Sequence, residues 1–254
     1  MDVALKLPRR DFLAIIGSLI GVTVLCWLYL AAMARDMTAM EMTQIPVWDT
    51  AYFWMMFSMW AIMMVGMMLP SVAPMILIYA AVARKANNDR MPVTSTSAFT
   101  AGYLFMWIIF SLMATIAQEQ LSQFALLSPM MVANSPTLGA TILIAAGIYQ
   151  QLPVKDQCLK HCRGPIHFIS EHWKTGVWGA FRMGIEHGGF CIGCCWMLMA
   201  LLFVLGVMNL VWIAALSLFV LLEKILPKSW KISLFSGIIL IGWGLLVFIN
   251  NQPN

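Results

Sequence analysis

The sequence predicts an all-α polytopic membrane protein, a transmembrane helix bundle of about seven spans with the N-terminus cytoplasmic and the C-terminus periplasmic. Three observations lead there. Of 254 residues, 61% are hydrophobic and only 10% are charged, against about 25% charged in soluble domains. The apolar runs extend from one end of the chain to the other, so residues 1–254 read as a single integral membrane domain. The basic residues, finally, gather in clusters between alternate runs, as the positive-inside rule demands of a multi-spanning chain. A formal net charge of +4 therefore bears on orientation and gives no reason to expect nucleic acid as a partner.

A span needs about 20 apolar residues to cross roughly 30 Å of hydrocarbon. The first run covers 12–33. The second, 51–83, would be about 50 Å long as one straight helix. Pro70 and Pro74 are expected to kink it, with its tail emerging into the cytoplasm. Spans three and four are placed at 98–117 and 136–150. The stretch 185–222 is too long for one crossing and divides into 185–206 and 209–222 at a turn near Gly206 and Asn209. The seventh span is 232–249.

The charges test this count. Lys6, Arg9 and Arg10 precede span one, and Arg84, Lys85 and Arg90 follow span two. Lys155, Lys160, Arg163, Lys174 and Arg182 follow span four; Lys224, Lys228 and Lys231 follow span six. Fourteen of the 15 basic residues thus fall on alternate loops, with Arg35 alone on the other side, which places the chain in an inner (cytoplasmic) membrane. At the N-terminus, Arg9-Arg10 followed by Ala32-Met33-Ala34 looks a little like a cleaved signal. The apolar run is longer than the 7–15 residues of a secretory core, so an uncleaved anchor is expected.

Polar chemistry is concentrated in one window. All four histidines (His161, His167, His172, His187) and five of six cysteines (Cys158, Cys162, Cys191, Cys194, Cys195) lie between 158 and 195. Cys158, His161 and Cys162 stand at i, i+3 and i+4, as do Cys191, Cys194 and Cys195, so each triplet shares a helix face. His187 extends the second face by one turn. Glycines at 188, 189 and 193 allow close backbone approach there. On the reducing side of the membrane, clustered thiols point to metal binding or redox work rather than to stable disulfides. Thiolate and imidazole ligands suit Cu(I), Zn(II) or iron–sulfur chemistry, a soft transition metal in each case. Cys26, alone in span one, is expected to pack as a small apolar side chain. His167 and His172 are expected on a solvated or headgroup-facing surface.

Several of these stretches resemble a bacterial family of predicted metal-binding integral membrane proteins of unknown function. They are residues 147–155 (Gly-Ile-Tyr-Gln-Gln-Leu-Pro-Val-Lys) followed by Cys158-Leu159-Lys160-His161-Cys162-Arg163, and the Gly-Cys-Cys-Trp core of 188–196. Met208-Asn209, Glu223-Lys224 and the Met-Met-Leu-Pro stretch at 67–70 with Pro74 also match. The resemblance spans about spans two to six and implies membrane residence and a metal site.

Methionine is abundant, at 22 residues. Met33, Met37, Met40 and Met42 follow span one on its outer side. In span two, Met56, Met59, Met63 and Met67 fall within an arc of about 80°, forming a possible metal pathway. Thioethers are soft, uncharged ligands that suit Cu(I) and keep their capacity in an oxidising compartment. The alternative for the same side chains is adaptable packing between helices. Glu223 and Lys224 are expected to end span six as a snorkelling pair at the interface.

The sequence holds no nucleotide-binding loop, hydrolase triad or aspartyl-phosphate motif, which argues against an enzyme or an energised pump. The expected function is Cu(I) transport or delivery through a methionine stripe to a cytoplasmic-side Cys/His site, with the metal ion, the bilayer and a metallochaperone or membrane metalloenzyme as partners. The alternatives are a thiol- or metal-based redox protein cycling Cys191-x-x-Cys194, and an accessory subunit that assembles a membrane metalloenzyme.

Overall fold

Alternating helix-forming apolar runs and proline-marked breaks give a chain that is helical almost throughout. The computed structural model describes residues 7–39, 48–86, 92–128, 131–227 and 230–250. Ten helices are found there: α1 (Arg9–Ala39), α2 (Thr50–Ala86), α3 (Pro92–Gln123), α4 (Pro136–Tyr149), α5 (Pro153–Arg163), α6 (Pro165–His172), α7 (Gly176–Ala200), the single turn α8 (Leu202–Leu205), α9 (Leu210–Ile225) and α10 (Ile232–Asn250). Proline opens α4, α5 and α6, where its missing N–H would have no intrahelical partner in any case. Asn209 caps α9, its side chain accepting from the amides of Val211 and Trp212. Lys6, Arg90, Lys228, Met40 and Met42 lie outside the described residues.

The chain is all-α, and five helical stretches are long and apolar enough to cross a membrane: α1, α2, α3, α7 continued by α8, and α10. The α4–α5 pair, bent by 64°, makes a sixth if the two halves count as one span. Helix α9, with 16 residues, is about 24 Å long, short of a full crossing. Helix α2 runs through Pro70 and Pro74 for 37 residues. One helix boundary differs from expectation. Helix α7 starts at Gly176, well before the expected 185, because the Gly176–Arg182 segment that reads as a basic loop continues the helical face of the span. The thiols of α7 consequently lie well along a helix rather than at its mouth.

Helix α3 packs along α7 and α2, α1 along α2, α10 along α4, and α5 along α7. The α3–α7 contact is the closest. A Cβ at Gly184 would stand 2.0 Å from the Phe99 carbonyl oxygen, and one at Gly102 would stand 2.1 Å from that of Phe181. Small residues that let backbones meet are the usual device where lipid removes the hydrophobic drive between helices. The core against this pair is sulfur-rich and aromatic, with Met56, Met59, Met63, Met64, Met67 and Met68 of α2 buried beside Tyr79, Phe99, Tyr103 and Trp107. Cys26 packs against Gly66 of α2. Asp11 and Arg84 pair between the start of α1 and the end of α2, so those ends lie together.

Since backbone atoms cannot yield as a flexible side chain would, Gly184→Ala is expected to force α3 and α7 apart and cost about 2–3 kcal/mol, the upper range for overpacking. Thermal unfolding of the detergent-solubilised protein checks this, with Gly242→Ala, a position with open space around it, left within measurement error of the native chain.

Candidate metal centre

Helix α5 lies against the middle of α7 and presents its cysteine face to it. The closest approach is at Gly193, where a Cβ would stand 2.8 Å from Cys158 Sγ. The Tyr149 hydroxyl donates to the Gly193 carbonyl oxygen, fixing the α4–α5 corner on the same turn of α7. One turn further along α5, Cys162 Sγ lies 4.0 Å from Cys194 Sγ. Two sulfurs sharing one ion at about 2.3 Å each stand roughly 3.8 Å apart in tetrahedral geometry, and somewhat farther apart when collinear. The Cys162–Cys194 separation falls in this range without movement of either helix.

The α7 thiols also have partners within the bundle. Cys194 and Cys195 donate to the Cys191 carbonyl oxygen at 3.1 and 2.9 Å. Cys191 Sγ lies 3.1 Å from the Tyr103 hydroxyl and 3.0 Å from Lys224 Nζ. Lys224 also donates to Ser71 Oγ at 2.8 Å, and Ser71 lies on α2 at 4.0 Å from Met68 Sδ. Met68, a residue outside the Met56/Met59/Met63/Met67 arc, is thus connected to Cys191 through Ser71 and Lys224. Met56 Sδ, at the far end of that arc, accepts from Gln118 Nε2 at 3.7 Å.

The histidines divide three ways. His187 is buried, its ring beside Phe168, Tyr103 and Phe99, and its Nδ1 has no hydrogen-bond partner among the described residues. His161 packs on α7: its ring stacks on Phe190 at 4.0 Å, and Nδ1 lies 3.0 Å from the Gln157 carbonyl oxygen. There it can only donate, which leaves Nε2 with its lone pair. His172 is 6.1 Å from His161 ring to ring, and His167 pairs with Glu171 on the surface. His161, His167 and Arg163 line an open cleft of about 360 Å³ at the α5–α6 corner. Among the described residues no three Cys, His, Asp or Glu side chains stand together as a metal-holding group; the seven sequence candidates separate into the sulfur pair, the Lys224-bound Cys191, Cys195, Cys158 against Gly193, His187 with its unpartnered Nδ1 and His161 stacked on Phe190.

Glu223 and Lys224 are no snorkelling pair. Both are buried. Lys155 Nζ lies 2.7 Å from each Glu223 carboxylate oxygen, Ser233 Oγ donates to the same carboxylate at 2.9 Å, and Arg163 Nε donates to the Glu223 carbonyl at 2.7 Å. This network locks α5, α9 and α10 together beneath the thiols. The sequence signal for it was faint: two charges beside an apolar run read the same whether they reach out to water or turn inward.

The arrangement is a soft-donor pocket with one buried cation, walled by α2, α3, α5, α7 and α9. The model of the PpoB2 family, described as a copper chaperone, matches residues 57–247. The chain belongs to this copper chaperone family. No curated protein and no solved structure matches it. The copper chaperone match takes in the sulfur pair, His187, Glu223, Lys224 and the α2 methionines from Met59 onward, and thiol and thioether donors suit copper.

Removing one partner of a buried ion pair leaves the other charge uncompensated, at about 3–5 kcal/mol. Glu223→Ala is expected to lower stability by this order and Lys155→Met with Glu223→Leu to restore much of it, both read from thermal unfolding in detergent.

Proposed function

We propose that this copper chaperone is an inner-membrane protein that takes up Cu(I) along the buried methionines of α2 and holds it between Cys162 and Cys194 for delivery on the cytoplasmic side. The orientation rests on the alternating basic loops, and the choice of Cu(I) over Zn(II) on the donors. A two-sulfur pair is complete for Cu(I), whereas a structural zinc site needs four ligands. The observation that carries the reading is the 4.0 Å approach of Cys162 and Cys194 across two helices. Cys191, Cys195, Cys158 and His187 stand within the same helical region as further ligands during transfer, and His161, beside the open α5–α6 cleft, is the exit-side imidazole. The recipient is a soluble metallochaperone or a membrane metalloenzyme that accepts the ion at that cleft. A redox cycle through Cys191-x-x-Cys194 fits less well, since Cys194 is directed at the Cys191 carbonyl oxygen and Cys191 Sγ at Tyr103 and Lys224.

The test is anaerobic competition of the purified full-length protein against a chromophoric Cu(I) chelator. Cys162→Ser with Cys194→Ser is expected to weaken binding by about a hundredfold or more, while Cys26→Ser leaves it unchanged. Native affinity in the double variant would exclude this pair as the cargo site. Replacing Met59, Met63 and Met67 together by Leu is expected to leave equilibrium binding in detergent intact but to slow Cu(I) movement into vesicles bearing the protein. Unchanged uptake would assign those methionines to packing.

A further inference from the structure

Two histidines at the α5–α6 corner are fixed in the same way. His161 Nδ1 lies 3.0 Å from the Gln157 carbonyl oxygen and His172 Nδ1 lies 3.2 Å from that of Phe168, each one turn back along its own helix. Beside a carbonyl a ring nitrogen can only donate, so the neutral imidazoles carry their proton on Nδ1 and keep a lone pair on Nε2. Each ring is also stacked on a phenylalanine, His161 on Phe190 at 4.0 Å and His172 on Phe168 at 4.6 Å, and the two phenylalanines meet at 6.2 Å. A ring with one nitrogen bonded to a backbone carbonyl and the other free is the arrangement in which metal-binding histidines are ordinarily held. His167, the third histidine of this corner, instead has its Nδ1 3.2 Å from the Glu171 carboxylate on the surface.

We propose that His161 and His172 form a second copper site, a two-imidazole station beside the α5–α6 cleft from which the ion passes to its recipient. This rests on the copper-delivery reading above and adds His172 to the ligands. The two ring centres stand 6.1 Å apart. A metal–imidazole bond is about 2.0–2.1 Å and a ring centre lies roughly 1.2 Å behind its nitrogen, so two imidazoles on one ion have centres about 5–6.5 Å apart. The observed separation falls in that range, toward the wide angle of two-coordinate binding. Ring planes at 80° to each other are no obstacle, because each ring is free to twist about its own bond to the ion. Imidazole is an ordinary ligand of copper. Two neutral imidazoles leave the ion its positive charge, whereas two thiolates oppose it, so the histidine pair is the weaker holder. Its place suits release: His161 adjoins Cys162 along α5 and lines the open cleft of about 360 Å³.

The experiment titrates the full-length protein in detergent with Cu(I) under anaerobic conditions, counting bound equivalents against a chromophoric chelator, with X-ray absorption reporting the donor atoms. The native chain is expected to bind a tighter equivalent on sulfur and a weaker one on nitrogen. His161→Gln with His172→Gln is expected to lose the weaker equivalent and keep the tighter, while His167→Gln keeps both. Retention of the weaker equivalent in the double-histidine variant overturns the proposal, as does a native chain that binds copper through sulfur alone. The second measurement needs no variant and decides the matter even if the histidine changes disturb folding. Failure here is separable from failure of the cargo site. If Cys162→Ser with Cys194→Ser removes the tighter equivalent and no nitrogen-bound copper is found in the native chain, the sulfur pair stands and only the histidine station falls. If the cysteine changes leave the tighter equivalent in place while the histidine changes remove the weaker, the sulfur pair falls and the station stands.

Discussion

Two ammonium groups are buried close to the end of α9, and Glu223 satisfies one of them. Lys155, arriving from α5, takes both oxygens of the carboxylate, so Lys224 turns the other way, toward Ser71 and Cys191. A buried charge without a partner is among the most expensive features a helix bundle can carry. Much of the lower half of the molecule is arranged to avoid it. The α4–α5 bend brings Lys155 inward, α9 supplies adjacent acid and base, and α10 contributes Ser233. The same arrangement fixes α5 along α7 and thereby sets Cys162 opposite Cys194.

The pocket's polarity contrasts with its surroundings. Around the sulfurs lie buried methionine, phenylalanine and tyrosine side chains, with Lys224, Ser71 and the Tyr103 hydroxyl as the polar groups. Copper(I) is stable in such a setting and prone to oxidation outside it; a chaperone's task is to keep the ion bound yet transferable. The proposed two-sulfur site would meet both needs, since an incoming third ligand could attach before an outgoing one leaves. Close by, His187 is buried with an Nδ1 that has no hydrogen-bond partner among the described residues.

The α3–α7 contact supplies rigidity from the other side. Gly102 and Gly184 bring the two backbones together, which seats Tyr103 against Cys191 and Phe99 and Tyr103 around His187. Preorganisation of donors on rigid elements, with neighbouring groups that fix each orientation, is what tunes metal sites generally. Here the positioning groups are a phenol, an ammonium and backbone carbonyls.

Composition and spacing by themselves determined the class of molecule. Runs long and apolar enough to cross a membrane follow from 61% hydrophobic residues and 10% charged, far fewer charges than the about 25% of ordinary soluble domains. The window of cysteine and histidine likewise pointed to a metal centre, because i, i+3, i+4 spacing places side chains on one face whatever the helix packs against. Which faces meet is a property of packing, and only the tertiary structure decided it. It set Cys162 4.0 Å from Cys194 and stacked His161 on Phe190. It also drew Glu223 and Lys224 inward. Their partners, Lys155, Ser71 and Cys191, lie between about 30 and 150 residues away along the chain, and no local pattern encodes contacts at that range.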